Sequence, residues 1–221
     1  MRLSIPSLSE AICSRRLLNT QGLCKAEICF SLSKEPVLVL GPTQRHLHDV
    51  IARATHRGIA YRVRDTGGTA VLDGPWMLTT KVIVPAEAAR GVLARESLAL
   101  AFGAMHVAAL QSMNIDARLA NETIGAAPQL DWSCFAGISR NEVITGAQEK
   151  VVGVSFRHGL ASSNLISGTL ISPVDWALLC DLFDRPNTDI TQLENRVSIA
   201  SCAADTMIGN LTQQFHIHFG E

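Results

Sequence analysis

With 221 residues, 47% hydrophobic and 18% charged, the chain holds enough apolar material for one core of ordinary single-domain size, so residues 1–221 are expected to form one domain. A net charge of −1 argues against a general nucleic-acid or anionic-membrane surface and leaves room only for a local basic cleft. The most apolar stretch, Leu98 to Leu110, contains His106 and falls short of the roughly 20 apolar residues of a spanning helix. An amino terminus bearing Pro6 and Glu10 lacks a secretory core, and a cytoplasmic location is expected.

In chain order, Ser7-Leu8-Ser9-Glu10 has the form of a capping box and predicts a helix over 8–20. Strands are expected near Ala26 to Leu32 and Val37 to Leu40. Leu47, Val50, Ile51 and Ala54 then fall at i, i+3, i+4 and i+7 behind Pro42-Thr43, with Gly58 as a stop, which predicts an amphipathic helix. A strand from Ile59 to Arg64 feeds the pair Gly67-Gly68, and Met77 to Val84 reads as another. Beyond Pro85 a long helix runs to about Met113, with Leu98, Phe102, Met105, Ala109 and Met113 on one face and Gly91 and Gly103 weakening it. Further strands are expected over Ile115 to Leu119, Glu142 to Ile144, Lys150 to Phe156 and Asn164 to Ile171. Helices over Asp175 to Phe183 and Ala203 to Phe219, separated by Pro186-Asn187-Thr188, complete an α+β pattern with mixed strand connections.

Chemistry concentrates at three places. Gly67 and Gly68, between a basic and an apolar strand, either make a plain hairpin turn or turn backbone N–H groups toward an anionic or acyl ligand. Lys150 is either a solvated charge at a strand start or a fixed ammonium near a developing oxyanion. Cys134 is either a packed thiol in an apolar strand or a nucleophile, and Lys150 would supply the cation for its thiolate if their strands pair. The six cysteines fit a reducing compartment, and Cys24 and Cys29 have no second pair of ligands at zinc-site spacing. His216 and His218 fall on a predicted helix, which points the two rings apart, so no metal site is expected. Trp76, Trp132 and Trp176 read as core or pocket wall.

The run Arg64-Asp65-Thr66-Gly67-Gly68-Thr69-Ala70-Val71, followed by Lys150-Val151-Val152-Gly153 and preceded by Pro36 to Gly41 and Gln44, resembles the lipoate–protein ligase and octanoyltransferase family over about residues 35–173. The resemblance implies a mixed β-sheet flanked by helices, of the class II synthetase and biotin/lipoate ligase type, with the ligand on the sheet face. It implies that Arg64, Thr66, Gly67, Gly68, Thr69, Ala70, Asp73, Arg140, Asn141 and Gly153 line a substrate or nucleotide site, and that Lys150 contacts the acyl carbonyl or activated phosphate. Val63 stands where the family has the first of two arginines, and Leu72-Asp73 where it has His-Asp.

Three activities follow from that resemblance. Ser139-Arg140-Asn141-Glu142-Val143 resembles ATP-using ligases. There lipoate or octanoate becomes an acyl-adenylate with release of pyrophosphate, and a lysine of a lipoyl carrier domain displaces AMP. Magnesium would neutralise the triphosphate, with Asn141 or Asp73 orienting it. Cys134-Phe135 instead resembles the octanoyltransferase branch in which a cysteine thioester takes the acyl group from an acyl carrier protein or a lipoylated protein. A non-catalytic acyl- or carrier-binding relative is the third. Arg140-Asn141 and Lys150 favour the ligase slightly, while Cys134 and Thr69, in place of a third glycine, favour the transferase. The chain's length also suggests a ligase completed by a second polypeptide.

Overall fold

The computed structural model describes residues 25–86 and 95–219, so the helix expected over 8–20 and Gly91 lie outside the described residues. The strands are β1 Glu27–Leu32, β2 Val37–Leu40, β3 Ala60–Val63, β4 Val71–Asp73, β5 Met77–Pro85, β6 Arg118–Leu119, β7 Val143–Ile144, β8 Lys150–His158 and β9 Ser162–Leu170. Between and after them come α1 His48–His56, α2 Arg95–Gln111, α3 Trp176–Leu182, α4 Asn187–Glu194 and α5 Ala204–Phe219.

Six strands form one sheet in the order β1-β5-β9-β8-β7-β6, every neighbouring pair antiparallel. The other three form a small sheet, β3-β2-β4, in which β2 runs parallel to β3 and antiparallel to β4. The α+β class with mixed strands and flanking helices is as expected; β2 and β3 are the parallel pair among the strands, and isolated parallel bridges join Ala70 to Ser133 and Lys150 to Val197.

Side-chain alternation decides which side of the large sheet is sealed. Leu78, Val82 and Val84 of β5 share a core with Leu98, Phe102, Met105 and Ala109 of α2 and with Met207, Leu211 and Phe215 of α5. A second core joins the small sheet to α3 through Leu38, Leu40, Leu72, Met77, Phe135 and Leu179, and all three tryptophans are buried in it.

Helix α1 ends where Gly58, at φ 69°, lets the N–H of Ile59 turn back to the carbonyl of Ala54 at 2.9 Å. The strand expected over Ile115 to Leu119 shrinks to Arg118–Leu119. Asn114, at φ 60°, turns the end of α2, and the Ile115 N–H is spent on the carbonyl of Leu110 at 3.1 Å. Pro186, expected only to separate two helices, begins one of its own: at φ −70° and ψ 156° it is the N-cap of α4. Gly103 within α2 admits the backbone of Asn141, since a Cβ there would stand 2.4 Å from that residue's carbonyl oxygen.

Candidate active site

β3 ends at Val63, and Arg64 folds back over the loop that follows. Its Nε donates to the carbonyl of Gly67 at 3.0 Å and its Nη2 to that of Thr69 at 2.6 Å. Gly68 has φ 94°, where side chains are disfavoured, and a Cβ there would lie 2.6 Å from Arg64 Nη2 and 3.2 Å from Cys134 Sγ. Beneath it, a Cβ on Gly41 would fall 1.9 Å from the Gly68 carbonyl oxygen, so the residue that follows β2 and the loop touch backbone to backbone. Gly67 faces open space, and a Cβ added there would meet nothing within 4 Å. The N–H groups of Gly67, Gly68 and Thr69 make no hydrogen bond within the described residues.

The loop is pinned from several directions. Ala70 donates to the carbonyl of Trp132 at 3.0 Å and accepts from the N–H of Cys134 at 2.9 Å. Gln44 donates from Nε2 to the same Trp132 carbonyl at 3.0 Å and accepts from the Gly41 N–H at 3.2 Å. The hydroxyl of Ser155 on β8 donates to that of buried Thr66 at 2.9 Å, and Asp65 pairs with Arg157 at 2.7 Å. The glycine loop on the small sheet is thereby fixed against a strand of the large one.

Cys134 opens a single 3-10 turn, Cys134–Ala136, and not the apolar strand that its neighbours suggest. The turn forms because the Ala136 N–H bonds back to the carbonyl of Ser133, after the Cys134 N–H has been captured by Ala70. Lys150 starts β8 as expected but is 1% exposed. Its Nζ lies 2.7 Å from Glu142 Oε2, donates to the carbonyl oxygen of Cys134 at 2.8 Å, and stands 5.3 Å from the ring centroid of Phe135. Glu142 accepts further bonds from the N–H of Ser139 at 2.7 Å and of Val154 at 3.1 Å. Cys134 is in no strand that could pair with β8, and Lys150 reaches the Cys134 carbonyl and not its sulfur. The cation beside the sulfur is Arg64. Burial lowers the pKa of its guanidinium, and the charge and hydrogen-bond contact of Cys134 work against that shift.

The fold thus gathers Arg64, Thr66, Gly67, Gly68, Thr69, Ala70, Cys134 and Lys150 around one loop. Gly153 joins them from β8, where a Cβ would make ordinary contact with Phe135 Cζ and Glu142 Oε1 at 3.5 and 3.7 Å. Asp73 is 1% exposed and engaged instead by Arg62, Nη2 to Oδ2 at 2.8 Å. Burial raises its pKa and Arg62 opposes the rise. Arg140 sits exposed on a turn, its N–H donating to Thr123 Oγ1 at 3.3 Å, and Asn141 has φ 70° with its N–H on the carbonyl of Ala120 at 3.0 Å. Sequence reasoning assigned no role to Glu142 or Ser155. An acidic residue entering a strand that pairs with the one started by Lys150 was the available signal for the first. Among the described residues no group of three or more His, Cys, Asp or Glu could hold a metal ion, and none of the helices is long and apolar enough to cross a membrane.

The family profile described as the lipoyl protein ligase A/B catalytic domain matches residues 8–215. The chain belongs to that family. It is an enzyme of the ligase or acyltransferase kind. No curated protein matches it by sequence. Among solved structures, lipoate-protein ligase A bound with ATP is similar at TM-score 0.65 and 16% identity, over 87% of this chain and 72% of that one. A bi-partite lipoate protein ligase from Thermoplasma acidophilum, solved in a study of that ligase and its E2 lipoyl domain, is similar at TM-score 0.70 and 16% identity, over 95% and 77%. A lipoate ligase-type protein of T. acidophilum with bound lipoic acid gives 0.67 and 18%, over 95% and 77%. At these identities the likeness is one of fold.

Proposed function

We propose that the chain transfers a lipoyl or octanoyl group to a lysine of a lipoyl carrier domain, with Cys134 as the acyl-bearing thiol. The observation that carries this reading is that Cys134 Sγ and Arg64 Nη2 meet each other against the same face of Gly68, beside loop N–H groups that nothing engages among the described residues. A thiolate needs a neighbouring cation, and the oxyanion formed by its attack needs donors that do not have to reorganise. Arg64 supplies the first and the amides of Gly67 and Gly68 the second. The Cys134 sulfur attacks the acyl carbonyl of a carrier thioester, forming a new thioester and releasing the carrier thiol. The ε-amine of the acceptor lysine then attacks that thioester, forming an amide and returning Cys134 as a thiol. In this reading Lys150 is a positioning residue, which holds the Cys134 turn through its carbonyl.

One observation favours a second reading, ATP-dependent ligation through an acyl-adenylate: the similar lipoate-protein ligase A was solved with ATP. The residues fit magnesium ATP less well than a thioester. Lys150 is held by Glu142, and the carboxylates about the loop, Asp65, Asp73 and Glu142, are each paired with a cation. The T. acidophilum bi-partite ligase suggests that adenylation, if present, would need a second polypeptide.

The intact mass of a lipoyl-domain acceptor decides between them. Octanoyl-acyl carrier protein without nucleotide should add an octanoyl mass to the acceptor, and Cys134→Ser should remove both this gain and the acyl adduct on the enzyme. A gain only with lipoate and magnesium ATP would transfer the assignment to ligation, and no gain under either condition, with or without a candidate second polypeptide, would overturn both.

A further inference from the structure

The turn that carries Cys134 is fastened to both sheets. Lys150, at the start of β8, holds its carbonyl to the large one. The fastening to the small one runs through Gln44, which closes the 3-10 turn Pro42–Gln44 after β2 and is 8% exposed. Its Oε1 accepts from the N–H of Gly41 at 3.2 Å, and its Nε2 donates to the carbonyl of Trp132 at 3.0 Å. From these two ends, contacts reach both halves of the site. Gly41 lies so close to the Gly68 carbonyl that a Cβ on it would collide with the oxygen. The Trp132 carbonyl also takes the N–H of Ala70, at 3.0 Å, and the Ala70 carbonyl takes that of Cys134, at 2.9 Å.

The bonds from Ala70 to Trp132 and from Cys134 to Ala70 are backbone to backbone, so the Gln44 side chain is the donor and acceptor of this circuit that a substitution removes. The Trp132 carbonyl has two lone pairs, and Gln44 and Ala70 use both. A buried carboxamide is costly to desolvate, and its two bonds offset that cost only while Gly41 and Trp132 stay where they are. Because its acceptor and donor sit on one planar carbon, the carboxamide also sets the separation of those two backbone groups. An apolar residue of the same length would fill the space and set nothing.

We propose that Gln44 is a positioning residue for the reaction: by holding Trp132 to Gly41 it keeps Cys134 Sγ beside Arg64 and the amides of Gly67 and Gly68. This rests on the reading of Cys134 as the acyl-bearing thiol. Two rates on the full chain test it: acylation by octanoyl-acyl carrier protein, and alkylation of Cys134 by iodoacetamide at neutral pH, read at that cysteine by peptide mass spectrometry. Gln44→Met removes both side-chain bonds. Gln44→Glu still accepts from Gly41 but, ionised, has no proton for the Trp132 carbonyl, and it carries the comparison by itself should Gln44→Met not fold. Each variant should lower the acylation kcat about tenfold, the range of one hydrogen bond, with KM for the donor unchanged, and should slow alkylation of Cys134 by a similar factor. Wild-type values of both rates in variants that melt cooperatively would make Gln44 a packing residue and overturn its role while leaving the acyl site standing. A rise in KM with kcat intact would overturn it as well, by placing Gln44 in donor binding. A wild type that takes no acyl group, with alkylation still slowed in the variants, would overturn the reaction and uphold the positioning of the thiol.

Discussion

The two sides of the six-stranded sheet bury titratable groups by opposite means. Under α2, His106 is sealed as a neutral ring: Nδ1 donates to the carbonyl of Phe102 at 2.8 Å, and Nε2 is left to accept from the Ser167 hydroxyl at 2.8 Å. Burial pushes its pKa down to about 4. Beside the glycine loop, Lys150 and Glu142 are buried as an ion pair whose remaining hydrogen-bonding capacity is met by the Cys134 carbonyl and by two backbone N–H groups. Neutralisation suits a side that only has to pack. Pairing keeps charge next to the place where an acyl carbonyl would react, at the cost of making each partner depend on the other.

Removing one partner should be the most severe way to break this contrast. Lys150→Met leaves the Glu142 carboxylate buried without its cation and should destabilise the fold by about 3–5 kcal/mol in urea unfolding. Lys150→Met combined with Glu142→Gln should recover part of that loss, and a strictly additive double variant would show that the two do not act as a pair.

The neutral side responds to pH. Because the folded His106 titrates near 4 and the unfolded ring near 6.5, the unfolded chain binds the proton more readily between those values. The stability that neutral burial preserves is complete above about pH 6.5 and is lost as the pH falls toward 4, by up to about 3 kcal/mol. His106→Leu should flatten the unfolding free energy across that window, and an unchanged slope would move the pH dependence to another group.

Gly68→Ala should cost about 1–3 kcal/mol through its positive φ and its collisions with Arg64 and Cys134, and should reduce acyl transfer far more than stability. A loss of stability with transfer intact would separate the loop from the chemistry. The smallest effect is expected at the surface: Arg157→Ala breaks an exposed pair with Asp65 and should change stability by less than about 1 kcal/mol.

Elements with a strong period and a clear stop were legible in the sequence. α1 is one, with its apolar spacing and Gly58, and the buried face of α2 is another. β4 was read only as an apolar strand after the glycines, without bounds, because Val71–Asp73 is too short to show alternation and follows directly on the glycine loop. α4 was hidden by Pro186, which breaks a helix from within but starts one from its N-cap. Within the site, the residues that form the loop could be read locally. The partner of Lys150 could not, since its link to Glu142 depends on the pairing of β7 with β8 and on a register irregularity at Val143 and Ile144. The exchange of roles by which Arg64 stands at the sulfur and Lys150 at the carbonyl is likewise a matter of three-dimensional reach and leaves no mark in spacing.

The unequal crowding of the two loop glycines has a practical side. Position 68 is wedged among Arg64, Cys134 and the backbone of Gly41, while position 67 looks onto empty space and has no positive φ. A residue at 67 could therefore be exchanged for a reporter, such as a cysteine carrying a fluorophore, without disturbing the scaffold behind it. The label would sit over the unengaged loop amides, where an arriving acyl group would change its surroundings before any bond is made or broken.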